Sequence, residues 1–231
     1  MKDFGFPTVL NKLPLIFLLF VLGLSSGFVF GSIVFKFDRE VYQILVEVWS
    51  KRVLFGANYL GGNYGVWFIL NNLMVMALLV GVSLLFMMFV LYRKKSFWVK
   101  KFGDREARHP KLILLSLYIL VVGTVVMNGF MISLFLSGIF LQDGFQNLKL
   151  AIFILLPHGL SEVLALSLSS SLGLIYIEKL KPLILKRKFE DAVATAKLLL
   201  RMPTTKFTLA LIIILVIFSG FLEGSLSVLF K

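Results

Sequence analysis

Residues 13–35 read LPLIFLLFVLGLSSGFVFGSIVF, 23 positions without a single charge. As a helix rising 1.5 Å per residue this stretch covers ~35 Å, enough to cross a hydrocarbon core of ~30 Å. Four more long apolar runs follow, Val66–Tyr92, Leu112–Leu141, Leu150–Ile177 and Thr208–Phe230. All are continuously apolar rather than alternating, which selects helices over barrel strands. The expected fold is therefore all-α, a polytopic membrane helical bundle of five transmembrane helices in one integral membrane domain, 1–231. A cleaved leader is the competing reading of the first run, since Lys2 and Lys12 precede it and Ser25-Ser26-Gly27 offers small residues. Its length argues against that, because a leader's apolar region is roughly 7–15 residues.

Composition agrees with the runs. Of 231 residues 59% are hydrophobic and 16% charged, where a soluble domain carries roughly 25% charged residues, and the mean hydropathy is +0.95. A soluble enzyme, a disordered chain and a disulfide scaffold are excluded. There is no cysteine, hence no thiolate metal site and no thiol nucleophile. No phosphate-binding loop or dinucleotide fingerprint occurs. The formal charge of +12 sits in short loops between apolar runs, so the expected partner is anionic membrane lipid and not nucleic acid.

Charge placement gives an orientation. The N-terminal tail and the loops 93–111 and 178–207 hold 18 of the 24 Lys and Arg, and the other loops and the C-terminus hold six. Positive charge stays in the cytoplasm, so the chain is expected to be multi-pass in the cell membrane, N-terminus cytoplasmic and C-terminus outside. Two loops are themselves patterned. In 38–55, Val41, Ile44, Leu45, Val48 and Trp49 recur at helical spacing, and in 187–201 Phe189, Val193, Ala196 and Leu200 oppose Lys188, Glu190, Lys197 and Arg201. Both read as interfacial amphipathic helices, outer and cytoplasmic respectively.

Small residues mark where helices can approach closely. Gly23, Gly27 and Gly31 form a four-residue ladder in the first span; Gly129, Ser133 and Ser137 do so in the third, Ser161, Ala165, Ser169 and Gly173 in the fourth, and Gly220 with Gly224 in the fifth. The first ladder suits either an internal neighbour or a homodimer seam.

The polar residues inside the spans are few. His158, Glu162 and Glu223 are the ionisable ones, and Asn71, Asn72 and Asn128 add amides. Charge at the bilayer centre costs about 2.5–3.5 kcal/mol on the mildest scale, so these groups should turn inward and meet. Counted along their helices they fall in the outer half of the membrane, the shape of an outward-facing polar pocket. His158 and Glu162 are four apart and share a face. Pro157 and Gly159 should break or kink the helix beside them, leaving 150–156 as a bent or re-entrant extension. Three chemistries fit such a cluster. It can lock helix packing, relay a proton for a small-solute or ion permease, or hold a divalent metal in an intramembrane hydrolase. The metal reading would use His158, Glu162 and Glu223; the spacing is His-x-x-x-Glu, not His-Glu-x-x-His. No other cofactor is expected.

These same residues carry a family resemblance. Asn71-Asn72 early in the second span, Asn128-Gly129 in the third, Pro157-His158-Gly159 with Glu162 and Ala165 in the fourth, and Glu223 in the last resemble the stage II sporulation protein M family in order and placement, over about 13–230. The chain departs after the last Glu, reading Glu-Gly-Ser where members often have Thr-Pro. The resemblance implies a five-span, non-enzymatic envelope protein. In sporulating bacteria it implies a scaffold for protein partners that remodel peptidoglycan during engulfment.

Overall fold

The computed structural model describes residues 5–59, 63–95 and 110–229, and among these almost every residue is helical and none is in a strand. The helices are α1 (Phe6–Leu10), α2 (Leu13–Phe37), α3 (Arg39–Tyr59), α4 (Tyr64–Val80), α5 (Val82–Lys95), α6 (Pro110–Leu185), α7 (Phe189–Arg201) and α8 (Pro203–Leu229). Segments Phe6–Phe37, Pro110–Pro157, Gly159–Leu185 and Pro203–Glu223 are long and apolar enough to cross a membrane, and Gly65–Val80 with Val82–Met88 forms a fifth, bent pair.

Local chemistry sets several ends. The Asp38 side chain accepts from Val41 N–H at 3.0 Å and so caps α3 as α2 stops. Asn63 does the same for α4 through Val66 N–H at 3.1 Å. Met202 is extended, as the residue before a proline tends to be, and Pro203 opens α8.

Two breaks differ from the sequence expectation. The second span is not one helix over 66–92 but bends by 65° between α4 and α5, at Gly81. Gly81 still donates to Ala77 O at 2.7 Å, and beyond it Val82 and Phe86 turn into the core. The second correction concerns α6. Among its described residues the non-helical backbone is at Gly144 (φ 80, ψ −179), not at Pro157 or Gly159, where the break was expected. Proline removes one hydrogen bond, and the helix runs on through Pro157; a φ of +80° needs a residue without Cβ. The chain then doubles back, for a Cβ on Gly173 would lie 3.3 Å from the Val121 side chain. The third and fourth spans are thus the two arms of α6.

The fourth span is the centre of the bundle. Of its apolar window 78% is buried, against 22–33% in the other single-helix spans. Its small-residue row Ser161, Ala165, Ser169 and Gly173 is buried throughout, and a Cβ on Gly173 would come 2.6 Å from the Leu79 carbonyl of α4. Helix α2 stands at the edge and packs chiefly on α6. There the glycine ladder is fully used within the chain. A Cβ at Gly23 would meet Val126 O at 2.2 Å, at Gly27 Phe130 O at 2.2 Å, and at Gly31 the Ser137 hydroxyl at 2.2 Å. Gly129 returns the contact against Phe20 O. The rising numbers on both sides make the first and third spans parallel neighbours. Of the two neighbours considered for this ladder, the internal one is present in the chain: the third span packs on the glycine face.

The two amphipathic segments dock differently. In α7, Ala192, Ala196 and Leu199 are fully buried against the bundle, close to the expected stripe. In α3 the expected stripe is the exposed one: Val41, Ile44, Leu45 and Val48 all face outward, and Trp49 has a side chain outside the described residues. Tyr42, absent from that stripe, makes the attachment. Its hydroxyl donates to Leu134 O at 2.8 Å and its ring stands edge-on to Phe35.

Candidate functional site

Three spans converge on Glu162. It lies on the second arm of α6, five residues after Pro157, and is half-buried. The Asn72 amide of α4 donates to its Oε1, and the Ser219 hydroxyl of α8 is hydrogen-bonded to the same carboxyl. Glu223, one helical turn beyond Ser219 and half-buried too, lies within electrostatic reach of Glu162. The cluster thus ties the second, fourth and fifth spans together through side chains alone. Hydrogen bonds between spanning helices contribute about 0.6–2 kcal/mol each, so this tie is worth a few kcal/mol at most and chiefly fixes register.

Of the residues expected here, Asn72, Glu162 and Glu223 are brought together. Asn71 is half-buried, a hundred degrees around α4 from Asn72. Asn128 is not a partner: it is exposed on the third span and its amide donates to Thr124 O at 2.8 Å, within its own helix. The side chain of His158 is outside the described residues. Among the described residues no three His, Cys, Asp or Glu are arranged to hold a metal. Sequence reasoning missed Ser219, because a serine in a spanning helix ordinarily bonds back to its own backbone, as Ser169 does to Ala165 O at 2.8 Å. Its one signal was the spacing of four to Glu223.

A second polar tie closes the opposite end. Tyr176 and Thr205 hydroxyls are 2.8 Å apart and Thr205 donates to Leu199 O at 2.6 Å, joining α6, α7 and α8. Lys12 and Glu178 form an ion pair at 2.6 Å, with Tyr118 within electrostatic reach of both. The start of the first span, the start of the third and the end of the fourth therefore meet at one end of the bundle, the end that holds the basic segment 178–207.

A bundle of long apolar helices around an internal polar tie defines a multi-pass helical membrane protein. The family model for stage II sporulation protein M matches residues 110–228, and the chain belongs to that family. The match takes in both arms of α6, α7 and nearly all of α8, and with them Asn128-Gly129, Pro157-His158-Gly159, Glu162 and Glu223; Asn71-Asn72 lies before it. No curated protein and no solved structure gives a significant match to the chain.

Proposed function

We propose that this protein is a non-enzymatic cell-envelope scaffold, a fixed five-span bundle that assembles protein partners, with the N-terminus cytoplasmic and the C-terminus outside. In this reading the Asn72–Glu162–Ser219–Glu223 cluster opens toward the outer side and is the structural centre. The observation that supports it most is that Glu162 takes hydrogen bonds from two other spans at once. Held that way, the carboxyl can fix the register of three helices. The experiment compares the parent with Glu162→Gln and Glu223→Gln by proximity labelling in membranes and by solute uptake into proteoliposomes. A scaffold keeps the same labelled neighbours in all three and moves no solute. Solute flux or hydrolysis that vanishes in Glu162→Gln with the fold intact would overturn it.

A further inference from the structure

The junction between the fourth and fifth spans carries an anomaly. The second arm of α6 ends with Lys188 N–H donating to Leu183 O at 2.9 Å and Arg187 N–H to Ile184 O at 3.0 Å. That pair of bonds requires a left-handed residue at the reversal, and the position ordinarily belongs to glycine. Here it is Arg187, at φ 57, the one described non-glycine residue with positive φ. A strained arginine between two lysines needs a reason beyond the turn.

The surroundings supply it. Lys186, Arg187 and Lys188 are exposed at one end of α7, and Lys197, Arg201 and Lys206 are exposed at the other. The acids nearby, Glu190 and Asp191, occupy the first turn of α7, where they complement the helix dipole. Apolar surface begins immediately beside the charges: Leu198 is 48% exposed and Phe207, next to Lys206, 57%, and Ile213, Ile214 and Phe218 continue it along α8. Basic side chains at the rim of an outward apolar band stand at headgroup depth.

We propose that α7 and its flanking turns form a binding platform for anionic phospholipid headgroups, with Arg187 held in the left-handed turn for its charge. The occupant is lipid because the basic platform is continuous with the outward apolar surface of α8, Phe207, Ile213, Ile214 and Phe218. The full-length protein in detergent is titrated with phosphatidylglycerol and, separately, phosphatidylcholine, and retained lipid is counted by native mass spectrometry. The parent should retain phosphatidylglycerol preferentially. Arg187→Gly should relieve the turn, raise the melting temperature, and still weaken phosphatidylglycerol retention by about fivefold, the effect of one surface charge. Lys197→Gln with Arg201→Gln, which leaves the turn untouched, should weaken it roughly 25-fold. Equal retention of the two lipids by the parent would overturn the proposal and leave the platform to a protein partner. Full phosphatidylglycerol retention in Arg187→Gly or in the double variant would overturn it as well.

Discussion

Replacing Gly27 with alanine tests the seam between the first and third spans with a single carbon. That carbon would stand 2.2 Å from the Phe130 carbonyl oxygen, 2.4 Å from the Ser133 hydroxyl and 2.8 Å from the Phe130 carbonyl carbon. The serine can rotate away; the Phe130 carbonyl belongs to a helix backbone and cannot. Relief requires the two helices to separate by about 1 Å, and a gap of that size forfeits a quarter to a half of each dispersion contact along the ladder. Alanine regains about 1 kcal/mol of helix propensity, while overpacking of this kind costs about 1–3 kcal/mol. The parting of Gly23, Gly31 and Gly129 from their own partners adds to that cost, so a net loss of about 1–2 kcal/mol is expected. Gly123 is the internal control. A Cβ there meets only Ile119, at 4.0 Å, so Gly123→Ala should stabilise by up to about 1 kcal/mol. Reversible unfolding in mixed micelles, followed by circular dichroism, measures both. Adding Ser133→Ala to Gly27→Ala should not rescue it, because the limiting atom is backbone. If Gly27→Ala is as stable as the parent, the close approach is wrong; if it instead changes oligomeric size in light scattering, the ladder lies between copies.

Three further outcomes are expected. Single cysteines near Asn147 and Lys231 should react with an impermeant reagent applied from outside, and cysteines near Lys95 and Lys188 should not; the reverse pattern refutes the orientation drawn from the basic loops. Asn72→Leu should lower stability by about 1–3 kcal/mol, since it removes a donor from a half-buried carboxyl, whereas Asn128→Leu, whose amide serves only its own helix, should change it by less than about 0.5 kcal/mol; equal losses in the two would place Asn128 in the cluster. Gly144→Ala should cost about 1–3 kcal/mol through backbone strain alone, because nothing lies within 4 Å of the new carbon; a neutral result in the same unfolding assay would mean the chain does not turn there.

The sequence carried the spans, the ladders and most of the polar cluster, because each rests on a strong local rule: long apolar runs, four-residue spacing, and the cost of charge in hydrocarbon. What it could not carry depends on neighbours distant in the chain. Gly81 looks like any glycine of a spanning helix, and its bend comes from Val82 and Phe86 turning into the core. Pro157 drew the expected break because proline is the stronger textual signal, yet a proline kink keeps the helix while Gly144 alone can take φ 80. The stripe in α3 is legible as the apolar face of an interfacial helix, and it does face outward. Tyr42 decides the direction by reaching Leu134, 92 residues away in the chain. Asn71 and Asn72 were indistinguishable in sequence, and only the rotation of α4 selects Asn72.

The parallel pairing of α2 with the first arm of α6 has a consequence for how the protein is made. Gly23 meets its partner backbone at Val126, roughly a hundred residues later in synthesis. At ribosomal rates of about 5–20 residues per second, the first helix waits on the order of 5–20 s in the bilayer before its mate is translated. Through that interval its glycine face is bare to lipid, to the insertion machinery, and to the same face of another nascent chain. Neighbouring ribosomes on one message would bring such chains side by side, so exchange of first helices between copies is an assembly error open to this topology.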